Sequence, residues 1–277
     1  MDKWIFGIVM LHLVVGFAWV LYKLQFQKNN KTNQKENASN KKLLSLSIIL
    51  VFVISCNPKE SKQTTKIHTV SAMRKVMMGE DLSAHINWDT IPKQNLYAVC
   101  PLERIEGEIT IINGKMFSSK VVENNTIEIK NDWNIQSPFA VYAYVKDWEE
   151  IETEANFSND DELQTFIEEM AIKSGTNVSK PFVFRIIGSF DTVDYHIISK
   201  PRDEKEHNHE LHDKAKKHFS LQNVSGELLG FYSKNHEGVF THRGHYIHTH
   251  FIDEDQKNMG HLEKAKTNRK VKVLISK

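Results

Sequence analysis

Three histidines between residues 248 and 261 have the residue type and spacing of a metal site. His248 and His250 occupy alternate positions in "YIHTHFI", and His261 follows eleven residues after His250. Because a β-strand projects residues i and i+2 from the same face, the first two imidazoles should point in one direction. His261 could return on a neighbouring strand and complete the three protein ligands that a catalytic zinc ion typically has. The spacing alone leaves two interpretations open, a metal site and a group of surface histidines.

Strand-like segments surround this histidine pair. The run "GEITIINGKMF" places Asn113 and Gly114 between two β-prone segments, and both residues tolerate the positive φ that a tight type I′ turn requires. Further strand-like runs are "TIEI", "FAVYAYV", "FVFRIIGSF", "VDYHII", "GELLGFYS", "VFTHRGHYIHTHFI" and "VKVLIS". A sheet is therefore expected to position the histidines.

Two segments have helical periodicity instead. Residues 66–80 carry apolar side chains at helical spacing, including methionines that we interpret as core residues rather than cofactor contacts. Residues 160–175 form an amphipathic pattern with an acidic first turn and Gly175 at the end. We expect an α+β fold of strand-dominated mixed or antiparallel sheets, or a partly closed barrel, with a few peripheral helices and a preceding N-terminal membrane segment.

The overall composition is that of a globular protein. Apolar residues make up 40% of the chain and charged residues 26%, with a formal net charge of +1. No excess of either sign indicates a nucleic-acid partner or an acidic partner.

Two apolar runs precede the strand-rich region. Residues 4–22 approach the roughly 20 residues of a membrane-spanning helix, so residues 1–23 are a candidate transmembrane helix, followed by a polar, lysine-rich linker over 24–42. Residues 43–56 follow two lysines, are apolar and end with a small residue before Cys56, as in a bacterial lipoprotein signal. We interpret this run as a lipidation signal rather than a second span. Residues 57–65 are then a tether, and 66–277 the main domain.

These interpretations predict an exported, membrane-anchored protein of the bacterial envelope. The anchor is the lipid on Cys56, the span over residues 4–22, or both. An alternative is that translation starts inside the linker, so that residues 1–23 are not part of the working protein. If Cys56 carries lipid, Cys100 has no cysteine partner, and no intramolecular disulfide can form in the mature chain.

A second histidine group lies in the charged insert "KPRDEKEHNHELHDKAKKH". Histidine-rich tracts can capture metal loosely, but no strand-like framework surrounds these residues to organise ligands. We interpret the insert as a solvated loop or short helix. The group comprises His207, His209, His212 and His218.

The ordered motifs resemble those of the alpha-acetolactate decarboxylase family. The resemblance runs from about residue 67 to 275, and its most specific part is the two-histidine strand followed by Gly-His. The matching segments are "TVSAMRKVMMGE", "IEGEITIINGKMF", "SPFAVYAYV", "FVFRIIGSF", "VSGELLGFYS" and "IHTHFIDEDQKNMGHL".

The resemblance implies a zinc-dependent conversion of 2-acetolactate, or a related 2-hydroxy-3-keto acid, to acetoin and carbon dioxide. It implies that His248, His250 and His261 hold Zn²⁺, which would stabilise an enediolate as a Lewis acid. It further implies catalytic roles for Arg185, as a donor to the substrate carboxylate, and for Glu108, in proton transfer. Without the resemblance, both residues would be interpreted as surface or structural groups.

The sequence also departs from the family pattern. The family supplies another active-site glutamate from a C-terminal segment for which these residues contain no counterpart. Glu263 and Glu227 are speculative substitutes for this glutamate. The additional His242 and His245 either contact the residues that hold the metal or are exposed. The alternative function is therefore a non-catalytic zinc-binding or metabolite-binding envelope lipoprotein on the same fold. Whether the protein forms a homodimer stays open.

Overall fold

The computed structural model describes residues 65–277, together with Trp19. The predicted transmembrane helix, linker, lipoprotein signal and Cys56 all lie outside the described residues. Among the residues that are described, no helix is long and apolar enough to cross a membrane.

Antiparallel strands dominate the described chain. Within residues 65–277, three α-helices accompany them, α1 (Met73–Met77), α2 (Asp160–Lys173) and α3 (His209–Ala215). The strands are β1 (Ile67–Val70), β2 (Ile86–Asn87), β3 (Leu96–Pro101), β4 (Glu108–Ile112), β5 (Lys115–Val121), β6 (Ile127–Lys130), β7 (Gln136–Ser137), β8 (Ala140–Tyr144), β9 (Trp148–Glu154), β10 (Phe182–Ile198), β11 (Lys216–Tyr232), β12 (Ile247–Asp253), β13 (Met259–Lys266) and β14 (Lys270–Ser276). This confirms the strand-dominated fold with few helices that the sequence predicts.

The strands form two large sheets that share a buried layer. The first sheet has the order β1-β8-β3-β4-β5-β6, and the second has the order β11-β12-β13-β10-β14-β9. A small third sheet pairs β2 with β7. Apolar residues of β3 and β8 pack against residues of β10 and β11, as in the cluster that contains Val99, Val141, Val183 and Leu229. The two sheets therefore pack face to face.

Part of the second sheet closes on itself. The 17-residue strands β10 and β11 pair along almost their whole length. Strand β12 pairs with one half of β11, β13 pairs with the other half of β10, and β12 also pairs with β13. These four strands form a closed circuit, as in the partly closed barrel that was one of the expected architectures. Strand β9 is an edge of this sheet, next to β14.

Local sequence explains two close features of this framework. Asn113 and Gly114 have φ of 49° and 74° and connect β4 to β5, which confirms the predicted hairpin. Gly230 on β11 faces Phe184 on β10, and a Cβ at this glycine would overlap the phenyl ring. The absence of a side chain at residue 230 therefore allows the ring to cover the strand.

The structure modifies the expectation for residues 66–80. Residues 67–70 pair with β8 as an edge strand, and the helix α1 covers only Met73–Met77. Ile67, Thr69 and Val70 are β-branched, which favours strand over helix, and Ser71 has φ of 56°, which separates the two elements. The second predicted helix is present as α2, where the Asn159 side chain accepts a hydrogen bond from the Glu162 amide.

Candidate metal centre

Strands β12 and β13 bring the three predicted histidines together. His248 and His250 project from one face of β12, and His250 is paired directly with His261 on β13. One ring nitrogen from each histidine lies within 4.8 Å of the others. The second sheet thus presents, on β12 and β13, a group of three imidazoles with the spacing of metal ligands.

The buried nitrogens of this group fit a cation. The Nδ1 atom of His248 and the Nε2 atom of His250 are buried and have no hydrogen-bond partner, an arrangement that would cost free energy without a ligand. Burial lowers the pKa of all three histidines, that of His248 to about 3. The rings are therefore neutral at physiological pH and can offer lone pairs to a metal ion.

The other ring positions are held by neighbouring groups. The Thr110 hydroxyl on β4 lies 2.9 Å from His250 Nδ1, which leaves Nε2 as the nitrogen that can coordinate a metal ion. The main chain of Phe240 forms a hydrogen bond with the ring of His248. Such partners orient imidazole ligands and fix their tautomers in metal sites.

Glu108 lies beside this group, as the resemblance implies. It is the first residue of β4, two positions before Thr110, and it is 4% exposed. Its Oε2 atom is 3.8 Å from His250 Nε2, while its Oε1 atom accepts a hydrogen bond of 3.2 Å from the Ile198 amide. Burial raises the pKa of Glu108 to about 8. In the metal-free protein this carboxyl group can therefore hold a proton at neutral pH.

A second pair of imidazoles extends the group across the sheet. His196 on β10 is paired with His261, and the two rings stack with centroids 4.8 Å apart. Glu263 accepts from His196 Nδ1 at 3.0 Å and from His218 Nδ1 at 2.9 Å. Although burial opposes it, these hydrogen bonds lower the pKa of Glu263 to about 2. This carboxylate binds two histidines and stays ionised, whereas Glu227, the other speculative substitute, pairs with Arg185.

Two adjoining cavities border the histidines. The smaller, of about 40 Å³, is lined by Glu108, His248 and His261. Its apolar lining comes from Met73, Val76 and Met77 of α1 and from Phe139. Met73 and Met77 are thus both core residues and cover for the site, whereas Met78 is exposed. The larger cavity, of about 270 Å³, is bordered by His196, His261 and Glu263 and by the loop residues His242 and His245. Only the larger cavity has room for a small organic acid.

Arg185 is not brought to either cavity. Its Nε and Nη2 atoms donate to the two carboxylate oxygens of Glu227 at 2.5 and 3.0 Å. Its guanidinium carbon lies 5.6 Å from the ring centroids of both Tyr97 and Trp148. The structure therefore assembles Glu108 with the three histidines and leaves Arg185 in a separate ion pair. Its predicted role at the substrate carboxylate stays a prediction.

Three residues at the cavities were missed by sequence reasoning. Lys216 and His196 border both cavities, and His212 of α3 borders the smaller one. The insert, expected to be a solvated loop or short helix, forms α3 and contributes the half-buried His212, whose pKa is lowered by burial to about 3. The only available signal was strand alternation in "DYHII", which places His196 on one face of β10 but does not say what that face meets.

The chain is similar to known proteins over this whole region. The family model for alpha-acetolactate decarboxylase matches residues 67–277. The crystal structure of alpha-acetolactate decarboxylase from Bacillus subtilis strain 168 shares 19% identity, with 76% of this chain and 84% of that chain covered at a TM-score of 0.63. A Staphylococcus aureus protein of unknown function, described as similar to alpha-acetolactate decarboxylase, shares 16% identity over 76% of this chain and 84% of its own, with a TM-score of 0.62. A search of curated proteins found no match.

Proposed function

Because the chain belongs to the alpha-acetolactate decarboxylase family, we propose that it converts 2-acetolactate to acetoin and carbon dioxide with a zinc ion held by His248, His250 and His261. The observation that carries the proposal is the convergence of three neutral imidazoles with two unpartnered buried nitrogens. Three protein ligands leave a coordination position for a substrate.

The reaction breaks the bond between the carboxylate carbon and the adjacent hydroxyl-bearing carbon. The electron pair of that bond moves toward the keto oxygen as carbon dioxide leaves. The hydroxyl-bearing carbon then takes up a proton to give acetoin. A zinc ion bound at the three histidines would supply Lewis-acid polarisation of the substrate oxygens. The protein must provide the proton and hold the anionic substrate in position.

Glu108 is the proposed proton donor. The amide of Ile198 holds its Oε1 atom, so Oε2 is the oxygen nearest the imidazoles. Burial raises the pKa of Glu108 to about 8 before a metal ion binds, and its Oε2 atom, 3.8 Å from His250 Nε2, is placed to act as a general acid toward a substrate at the histidines. The surrounding apolar cover formed by Met73, Val76 and Phe139 excludes water from this carboxyl group.

The test is an assay for acetoin with the purified full-length chain carrying no polyhistidine tag. Racemic acetolactate is supplied to protein treated with a chelator, to the same protein after zinc is restored, and to a blank that records spontaneous decarboxylation. We expect acetoin formation above the blank that disappears with the chelator, returns with zinc and is absent from His248→Ala. The exposed His85 provides the matched control, since His85→Ala removes an imidazole that borders neither cavity.

A folded, zinc-loaded protein that produces no acetoin would exclude this activity. The alternative, a non-catalytic metal-binding or metabolite-binding protein, would then be favoured. We also propose that the protein is exported and anchored by lipid on Cys56, on the sequence evidence alone. Membrane fractionation and metabolic lipid labelling test this proposal. The wild-type protein should be found in the membrane fraction and carry lipid, and Cys56→Ala should lose the lipid label.

A further inference from the structure

We propose that Lys216 binds the carboxylate of the substrate, so that the site selects a small anionic 2-hydroxy acid over neutral analogues. The inference rests on the proposed function and deepens it. It assigns to a lysine of β11 the charge recognition that the sequence resemblance assigns to Arg185.

Lys216 borders both cavities at the histidines. Among the described residues that line them, it is the sole lysine or arginine. Its side chain is 19% exposed, and its Nζ atom lies 2.8 Å from Asp213 Oδ1. Apart from a zinc ion at the three histidines, Lys216 is therefore the one permanent cation that an anion would meet among the described residues that line these cavities.

The strand pairing connects this lysine to the proposed proton donor. Lys216 is the residue paired with Ile198, the residue whose amide holds Glu108. Its main-chain position is fixed on the other side by α3, because the Ser199 amide donates to the carbonyl of Ala215 at 2.8 Å. One strand pair thus positions both the cation and the acid at the same end of the circuit.

The ammonium group has donors to spare. A lysine carries three N–H donors, and the structure gives Lys216 a single ion-pair partner, Asp213. The carboxylates that border the larger cavity contact histidines, Glu263 with His196 and His218, and Asp160 with His245. Neither of them forms an ion pair with Lys216.

The charge of Lys216 reaches the residues of the site. Burial is the main cause of the shifted pKa values of Glu108, His196 and His242, and Lys216 contributes to the shift at each of them. By contrast, Arg185 borders neither cavity, and its Nε and Nη2 atoms donate to Glu227. Between the two cations, the geometry favours Lys216.

The experiment compares Lys216→Met and Lys216→Arg with Lys217→Met in zinc-loaded full-length protein. Lys217 is the next residue of β11 and is exposed, so its substitution is a matched control. Binding of the unreactive anion 2-hydroxy-2-methylpropanoate and of its neutral amide is measured by calorimetry. Acetoin formation gives kcat and KM separately, and zinc content and circular dichroism show that each variant is folded.

We expect Lys216→Met to weaken binding of the anion and to raise KM by about tenfold or more, the effect of losing a hydrogen bond to a charged group. Binding of the amide should not change. Lys216→Arg should recover part of the anion affinity, and Lys217→Met should match the wild type. Unchanged anion binding in Lys216→Met, or an equal loss for anion and amide, would overturn the assignment.

The two proposals fail in different ways. If the wild-type protein forms no acetoin, the proposed decarboxylase function is excluded. The difference between anion and amide in calorimetry still decides whether Lys216 recognises a carboxylate.

Discussion

His250 and His261 are directly paired across two adjacent antiparallel strands, and their ring centroids lie 5.5 Å apart. A strand pairing that is shifted by one residue would point one of the rings to the opposite face of the sheet. The register between β12 and β13 therefore determines whether the metal centre exists.

Replacing His250 by alanine should abolish stoichiometric zinc binding. The substitution removes one of three ligands and leaves two, so bound zinc after gel filtration should fall from about one ion per chain to near zero. Elemental analysis measures the content, with His85→Ala as the control. Full zinc occupancy in His250→Ala would show that the ion is held elsewhere.

The hydroxyl group of Thr110 should contribute to metal affinity without touching the metal. Thr110→Val keeps the shape of the side chain but removes the partner 2.9 Å from His250 Nδ1, and loss of such a partner typically lowers affinity by about 10–100-fold. Competition with a chromophoric chelator measures the dissociation constant. Thr110→Ser should retain tight binding, and equal affinities for all three proteins would contradict the role.

Arg185 should matter for stability more than for turnover. Arg185→Met leaves the Glu227 carboxylate unpaired in a site where both side chains are about 15% exposed, which should lower the free energy of unfolding by about 1–3 kcal/mol. Adding Glu227→Met should recover part of this loss. Denaturant titrations give the energies. A large fall in kcat/KM in folded, zinc-loaded Arg185→Met would instead support the substrate role implied by the family resemblance.

A methyl group at residue 230 should destabilise the second sheet. Gly230→Ala places a Cβ within the ring of Phe184, and overpacking of this kind costs about 1–3 kcal/mol. The double variant with Phe184→Leu should be less destabilised than the sum of the single variants, because the smaller side chain relieves the overlap. Strict additivity in urea unfolding would show that the two residues are not in contact.

The thiol of Cys100 should be unreactive in the folded protein. It is fully buried, burial raises its pKa, and its sulfur lies 3.3 Å from the Ser137 hydroxyl. Since the thiolate is the reactive form, Ellman's reagent should label Cys100 in the Cys56→Ser variant only after denaturant is added. Rapid labelling without denaturant would indicate that this part of the first sheet opens readily.

Local rules predicted much of this protein because they concern neighbouring residues. Strand alternation places His248 and His250 together, and the Asn113-Gly114 turn specifies the β4–β5 hairpin. The position of Arg185 relative to the histidines depends on how β10 pairs with β11 and β13 in the closed circuit. Lys216 and His212 lie in a polar insert whose sequence gives no sign that it folds against the site. Such contacts depend on long-range packing, for which a single sequence contains no periodic signal.

The sequence of β9 bears on how the molecule avoids association with other chains. An edge strand offers unpaired main-chain groups to any other extended segment, and charged side chains discourage such additions. Four glutamates occupy the seven residues of β9, and Lys270, Lys272 and Lys277 pair with three of them. An incoming apolar strand would have to desolvate these charges at this border. The same residues that complete the sheet therefore act as a safeguard against its growth into an aggregate.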